Sequence, residues 1–408
     1  MTTAELLDNF KGIASVDVLG KRVLVRTDLN VPVSGTEVTD ATRIERLLPT
    51  LQDLTARGAK LIILSHFGRP DGKPAAEFSL RPAAKKLAAM MSGTTVLFGE
   101  DCVGPLASAV VARLQPGQIA VLENLRFHKE EEANDPDFAK ALASLGDIYV
   151  NDAFSVSHRA HASIEALAHL LPAYAGPSMM AEIDAFKLAL DRPERPVAAV
   201  VGGSKVSTKI EVLVHLAKKM DYLIVGGGMA NTFLFAQHIG VGRSLCEPGL
   251  VATVDAILSQ AAESRCRIVL PADAVVAPEL KPDVCTETVA IGQVPATMMI
   301  LDAGPRSVAD FTACIEKCKT LLWNGPIGAF EIPPFGEGTF VLAREAARLT
   351  QAGKLVTVAG GGDTVAALNA AGVTDKFSYV STAGGAFLEW LEGRTLPGVA
   401  ALARTSPR

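Results

Sequence analysis

Short β-branched runs that stop at glycine and pass into apolar residues at helical spacing constrain this chain more than any other feature. The sharpest case is Leu355-Val-Thr-Val-Ala-Gly-Gly-Gly-Asp-Thr-Val-Ala-Ala-Leu. Its pattern predicts a strand, a bare-backbone turn and a helix start. Glycines let the backbone approach a ligand, and the free N–H groups at a helix N-terminus attract anions. Asp363 adds a carboxylate beside that anion site, an arrangement that suits a hard cation such as Mg²⁺ bridging the two. Three more strand-to-helix turns carry glycine: Gly202-Gly203-Ser204-Lys205, Gly226-Gly227-Gly228-Met229 and Ala383-Gly384-Gly385. In open α/β sheets ligands sit at the carboxyl ends of the strands. The four turns therefore predict one broad, anion-friendly floor.

The alternation runs through the whole chain and predicts an α/β protein. Its 408 residues exceed what one core usually serves. We expect two doubly wound, Rossmann-like parallel-sheet domains joined by a helix, with a cleft between them. In the first half strands are expected at Arg22–Arg26, Lys60–Ser65, Thr95–Phe98, Gln118–Leu122 and Asp147–Val150. A helix is expected after Thr39-Asp40, its apolar face formed by Ile44, Leu47, Leu48, Leu51 and Leu54. In the second half strands are expected at Pro196–Val201, Tyr222–Val225, Arg267–Leu270, Leu321–Trp323, Leu355–Val358 and Phe377–Ser381. The expected division is an N-terminal domain over 1–172, a Pro-punctuated connecting helix over 173–196 and a C-terminal domain over 197–388. A tail over 389–408 is expected to pack back on the N-terminal domain.

Several function classes lose support. The net charge of −5, with no long basic run, disfavours nucleic acid. No apolar run reaches the length of a membrane span, and the acidic N-terminus lacks a basic leader region. The six cysteines have no paired CxxC spacing and read as reduced thiols of a cytoplasmic protein. There is no Walker motif and no G-x-G-x-x-G fingerprint, which removes an ordinary ATPase and a standard dehydrogenase. No amphipathic stripe demands a partner, so a monomer is expected.

Lys205 and Lys209, four apart, are expected to share a helix face near its positive end, a place that favours a bound anion. In Leu-Leu-Trp-Asn-Gly-Pro-Ile-Gly-Ala-Phe-Glu, Asn324 is positioned to orient phosphates and Glu331 to accept from ribose hydroxyls. The first half instead places Arg and His just past strand ends: Arg26, with Asp28 and Asn30 after it, then His66 and Arg69, Arg126, and His158, Arg159 and His161. Arg43 opens a helix. Forked guanidinium groups suit a small ligand carrying several negative charges. The histidines lack metal-ligand spacing and read as anion or loop supports. A non-catalytic sensor of phosphorylated metabolites is the rival reading; it would not need Lys205 together with Asp363.

At these residues the chain resembles the phosphoglycerate kinase family over essentially its whole length. The resemblance rests on Val-Arg-Thr-Asp-Leu-Asn-Val-Pro, Ser-His-Phe-Gly-Arg-Pro, Leu-Glu-Asn-Leu-Arg-Phe, Asn-Asp-Ala-Phe with His-Arg-Ala-His, Gly-Gly-Ser-Lys-Val-Ser-Thr-Lys, Trp-Asn-Gly-Pro, Gly-Gly-Gly-Asp-Thr and Ser-Thr-Ala-Gly-Gly-Ala. It implies reversible phosphoryl transfer between 1,3-bisphosphoglycerate and ADP, giving 3-phosphoglycerate and ATP, with Mg²⁺ and closure of two domains about a hinge. It further implies that Arg26, Asp28, Asn30, Arg43, His66, Arg69, Arg126 and Arg159 hold the phosphoglycerate. Lys205, Lys209, Asn324, Glu331, Gly360, Gly361, Gly362, Asp363 and Thr364 would serve the nucleotide, with Asp363 on the metal. Arg43, Lys205, Gly361 and Gly384 would surround the phosphoryl group in flight. Thr27, Phe67, Ser155-Val156-Ser157 and Ala383 depart from the commonest family wording without removing a charged group.

Overall fold

The computed structural model describes residues 10–404. The chain forms two compact units. One runs to Ile183 and includes the segment from Thr395; the other is Asp184–Arg394.

The first unit is built on strands β1 (Arg22–Arg26), β4 (Lys60–Leu64), β5 (Val96–Gly99), β6 (Ile119–Leu122), β7 (Ile148–Asn151) and β8 (Ala173–Ala175). Two short strands, β2 (Val33–Ser34) and β3 (Glu37–Val38), form a separate hairpin. The six-stranded sheet has the order β5-β6-β4-β1-β7-β8, with every pair parallel. Its central strands are buried along most of their length, which is why they read as continuous apolar runs. The helix Thr42–Ala56 lays Ile44, Leu47, Leu51 and Leu54 into the core beside Val23, Val25, Leu61 and Ile63. It begins two residues later than Thr39-Asp40 suggested. Asp40 still serves its start, since Asp40 Oδ1 accepts from the Thr42 N–H at 2.9 Å and the Thr42 hydroxyl at 2.6 Å. β8 falls in the stretch read as connector; at three residues it is too short to announce itself by periodicity.

The second unit carries β9 (Val197–Val201), β10 (Tyr222–Val225), β11 (Arg267–Val269), β15 (Thr320–Asn324), β16 (Val356–Gly360) and β17 (Tyr379–Ser381) in the order β11-β10-β9-β15-β16-β17, again all parallel. Counted along this sheet, the order is that of the Rossmann fold. Its topological switch point lies between β9 and β15. Trp323, Phe311, Leu342 and Phe377 pack the core on one face. An antiparallel sheet of β12 (Asp273–Ala277), β13 (Glu287–Ala290) and β14 (Met299–Ala303) was not expected. β13 is mostly exposed and has no apolar alternation to reveal it.

The helix Pro177–Phe186 contains the junction of the two units and continues as a π-helical turn over Lys187–Asp191. No helix among the described residues is long and apolar enough to cross a membrane. The reading of the N-terminus as free of a leader rests on residues 1–9, outside the described range.

Candidate functional site

In the first unit the expected residues gather at the carboxyl edge of the sheet. Asp28, two residues past β1, collects donors. Arg43 reaches its two oxygens at 2.9 and 3.1 Å, Ser155 Oγ donates at 2.6 Å, and the Asn30 N–H donates at 3.1 Å. Arg43 also donates to the Asn30 carbonyl at 2.9 Å. Asn30 Oδ1 accepts from the Gly68 N–H at 3.0 Å. Gly68 has φ +59, and a Cβ there would stand 2.5 Å from Phe78 Cε1. A side chain there would be strained and would meet the Phe78 ring, and the Gly68 carbonyl accepts from Arg126 at 2.7 Å. Asn124, which carries no site signal of its own in the sequence, ties these loops together. Its amide donates to the Phe67 and Phe78 carbonyls at 2.7 and 2.9 Å and accepts from the Phe67 and Arg126 N–H groups at 3.1 Å.

Arg26 differs from the others. It is 1% exposed and uses its fork internally: Nε donates to Ser163 Oγ at 2.9 Å, one terminal nitrogen donates to the Thr27 carbonyl, and the other lies 3.3 Å from His66 Nδ1. Ser163 passes the contact on to Glu131, which accepts from the Ser163 hydroxyl at 2.6 Å and N–H at 2.9 Å. Glu131 is fully buried, and burial pushes its carboxyl upward against the pull of Arg26. Arg69 is exposed, while Arg43 and Arg159 are half-buried.

The electrostatic character of this edge is cationic. Burial, then Arg26, Arg126, Arg159 and Arg43, hold His66 well below the ordinary imidazole range. Burial and the field of Arg126, Arg26, Arg159 and His158 push His161 down to about 3. Both rings are neutral at physiological pH, so each donates one hydrogen bond and accepts another without adding charge. A multiply charged anion relieves the repulsion among these arginines.

In the second unit the backbone closes tightly at the switch point. The Gly202 N–H donates to the Asn324 carbonyl at 3.0 Å, and a Cβ on Gly202 would lie 2.6 Å from the Pro326 carbonyl carbon. Gly325, at φ +104, packs against Gly202 from the other side. Lys209 Nζ donates to the Gly202 carbonyl at 2.8 Å and the Asn324 carbonyl at 3.2 Å. Burial pushes its ammonium down to about 8, and Asp363 pulls the other way. Lys205 and Lys209 do not share a helix face. Lys205 is extended and exposed, a 3-10 turn Val206–Thr208 follows, and Lys209 caps the helix Ile210–Lys219. Local side-chain bonds explain the break. Thr208 Oγ1 donates to the Lys205 carbonyl at 2.8 Å, and Glu247 accepts from the Ser207 N–H and hydroxyl at 2.9 and 2.5 Å.

Beside the switch point lies a cavity of about 460 Å³. Gly203, Gly227 and Gly228 form one wall and Leu245, Leu280, Met299 and Leu301 the apolar remainder, with Glu331 and Asp363 among its polar lining. An apolar slot with a few polar groups suits a flat, partly apolar ligand. Asp302, also unforeseen, lines the cavity. Burial pushes its carboxyl up to about 7 although the Gly338 and Ala303 N–H groups donate to it.

The turn after β16 has Gly361 at φ +97 as the N-cap of the helix Gly362–Ala371, with Asp363 exposed in the first turn. Gly384, at φ +48, caps the helix Gly385–Leu391. Asn324 and Thr364 are buried braces of these loops. Asn324 Nδ2 donates to the Gly360 carbonyl at 2.8 Å, and its Oδ1 is buried without a partner. Thr364 Oγ1 donates to the Gly360 carbonyl at 2.8 Å and accepts from the Gly325 N–H at 2.7 Å.

Comparison with known proteins agrees with this geometry. The family model described as phosphoglycerate kinase matches residues 13–394. A phosphoglycerate kinase of Allorhizobium ampelinum is 59% identical over 388 residues, 95% of this chain and 97% of that protein. One of Rhizobium meliloti is 57% identical over 383 residues, 94% and 96% of the two chains. The solved structure of phosphoglycerate kinase from Coxiella burnetii superposes with a TM-score of 0.91 at 42% identity, covering 98% of this chain and 100% of that one.

Proposed function

This chain belongs to the phosphoglycerate kinase family, and from that premise we propose how its two units divide the reaction. The reaction is reversible transfer of the acyl phosphate of 1,3-bisphosphoglycerate to ADP, giving 3-phosphoglycerate and ATP in glycolysis. In our reading the cationic edge of the first unit holds the phosphoglycerate. Arg69, Arg126 and Arg159 carry its phosphate, and Arg43 with Asp28 and Asn30 orients the carboxyl end. His66 donates a hydrogen bond as a neutral ring, and Arg26 supports it from below. The second unit holds the nucleotide, with the adenosine in the cavity, Glu331 toward the ribose, and the phosphates toward Lys205, Lys209 and the Gly360–Gly362 turn.

Asp363 suits Mg²⁺ chemically. It is an exposed carboxylate beside an N-terminal turn, and Mg²⁺ takes one or two carboxylates with phosphate oxygens and water completing its shell. When bound there, the ion neutralises charge on the nucleotide phosphates. The chain's own contribution is positioning and charge. Neither a carboxylate nor a nucleotide phosphate acceptor needs a proton removed, so no general base is required. Lys205 and Arg43 flank the transferring phosphoryl group, and the N–H groups near Gly361 and Gly384 face its oxygens. An acyl phosphate hydrolyses in water, so we further propose that the units close about the junction helix when both ligands are bound. We place the enzyme in the cytoplasm as a monomer.

The observation that carries this reading is the split of chemistry: a cationic edge with neutral buried histidines in one unit and a glycine-walled cavity with Asp363 in the other. The test is Mg²⁺- and ATP-dependent phosphorylation of 3-phosphoglycerate. Lys205→Ala is expected to lose at least ~10²-fold in kcat, the usual size for one charge-stabilising group. Binding of both ligands without turnover in the unaltered chain would instead favour a sensor, and an unimpaired Lys205→Ala would remove the role given to that lysine.

A further inference from the structure

The sequence contains no paired cysteine motif, yet the fold of the first unit brings Asp101, Cys102 and His128 together so that one ligand atom of each lies within 4.8 Å of the others. Asp101 and Cys102 follow β5; His128 follows β6 and opens the turn Lys129–Glu132. The thiol is buried at the base, while the Asp101 and His128 side chains are 36% and 29% exposed. The group therefore has a closed floor and an open mouth. Its members are already held in place. Asp101 Oδ1 accepts from the Cys102 N–H at 2.7 Å and lies 2.7 Å from His128 Nε2, and the His128 ring packs on Phe138 with centroids 5.2 Å apart.

We propose that Asp101, Cys102 and His128 form a three-ligand site for a borderline-soft divalent cation, best matched by Zn²⁺, with water as the fourth ligand. The donors are one sulfur, one imidazole nitrogen and one carboxylate oxygen, the set that Zn²⁺ takes and Mg²⁺ avoids. On binding, the S–H bond breaks, its proton leaves to solvent and the sulfur–metal bond forms, while the imidazole binds in its neutral form. Two ligands each ~2.0–2.1 Å from a tetrahedral ion stand about 3.3 Å apart. The present His128–Asp101 contact must therefore open by roughly 0.6 Å, within the reach of two partly exposed side chains. A bound ion fastens the carboxyl end of β5 to the segment that carries Arg126 and Glu131. It touches no reacting group, so its effect is on the stability of the first unit.

The test titrates the chelator-stripped full chain with Co²⁺ and then Zn²⁺. The expected result is one Co²⁺ per chain with a thiolate-to-cobalt charge-transfer band, displaced by one equivalent of Zn²⁺, and a Tm that rises with Zn²⁺. Cys102→Ala is expected to abolish the band and the Tm rise. Asp101→Asn, which keeps side-chain volume and an acceptor for the Cys102 N–H, is expected to weaken binding at least ~10-fold. Metal-free turnover and far-UV CD of both variants are expected to match the unaltered chain. Because Cys314 and Cys318 are close neighbours elsewhere, the double variant Cys314→Ala/Cys318→Ala serves as the control and keeps the band. Absence of the band in the unaltered chain, its persistence in Cys102→Ala, or its loss in the control overturns the site.

Discussion

Replacing Arg26 with Met leaves a buried carboxylate without its counter-charge, and the consequence can be worked from the geometry. Arg26 is 1% exposed and Glu131 0%. The Met variant removes the Nε bond to Ser163 and the cation that most favours ionised Glu131, but leaves the two Ser163 bonds to that carboxylate. Breaking a buried pair on one side costs about 3–5 kcal/mol. Glu131 limits the loss by taking up a proton, which gives the effect a pH signature. Its folded pKa is raised above the unfolded value, so stability is retained at low pH and lost as pH rises through the folded pKa. The difference between Arg26→Met and the unaltered chain is therefore expected to be largest near about pH 8 and to shrink toward about pH 5. Guanidinium melts of Arg26→Met, Glu131→Gln and the double variant at both pH values measure it. The double variant should be closer to the unaltered chain than the sum of the singles by about 1–3 kcal/mol. Additive singles, or a pH-independent loss, would refute the assignment of Arg26 as the counter-ion of Glu131.

The glycines separate structural from chemical roles. Gly202→Ala forces a Cβ against the Pro326 carbonyl, where no side-chain movement can yield, and is expected to cost about 2–4 kcal/mol in chemical denaturation and to raise the nucleotide KM. Gly362→Ala meets nothing within 4 Å and is expected to stabilise the helix start by about 0.4–1 kcal/mol, yet to raise the KM for ADP if phosphate approaches that backbone; unchanged kinetics would remove Gly362 from the nucleotide site. Lys209, held near about 8, is cationic below that pH and neutral above it. The KM for ADP should accordingly rise between about pH 7 and about pH 9, and Lys209→Arg should flatten the profile because guanidinium does not titrate there.

The sheets were legible because their central strands are buried on both faces and read as unbroken apolar runs. β1 and β10 were placed to the residue and β4 to within one. The antiparallel β12–β14 sheet was hidden because β13 is exposed, and β8 because it is short. At the site, residue types and order located the arginines, but their burial could not be read. Arg26 and Arg69 look alike in the sequence, and only the fold shows that one is spent on Ser163 and Thr27 while the other is exposed. Asn324 and Thr364 have polar groups suited to phosphate, and tertiary bonding to Gly360 and Gly325 turns them into braces. The four-residue spacing of Lys205 and Lys209 suggested a helix that Ser207, Thr208 and Glu247 break. Asp101, Cys102 and His128 are joined only by the pairing of β5 with β6, and no local spacing encodes that.

The chain enters the second unit inside the helix Pro177–Phe186 and leaves it before Thr395, whose segment belongs to the first unit. There the helix Pro397–Arg404 buries Val399, Ala401, Leu402 and Ala403, and the Gly398 N–H donates to the Ser157 carbonyl at 2.9 Å. The second unit is thus an insertion within the first. On the ribosome its whole sequence is available before the first unit has received its closing helix. Nascent chains must therefore carry an incomplete first unit, its future contact surface near Ser157 and Ile164 still uncovered, through the synthesis of some two hundred further residues. The half to which we assign the phosphorylated metabolite is completed only after the other has been synthesised, and chaperone demand during synthesis should fall on it.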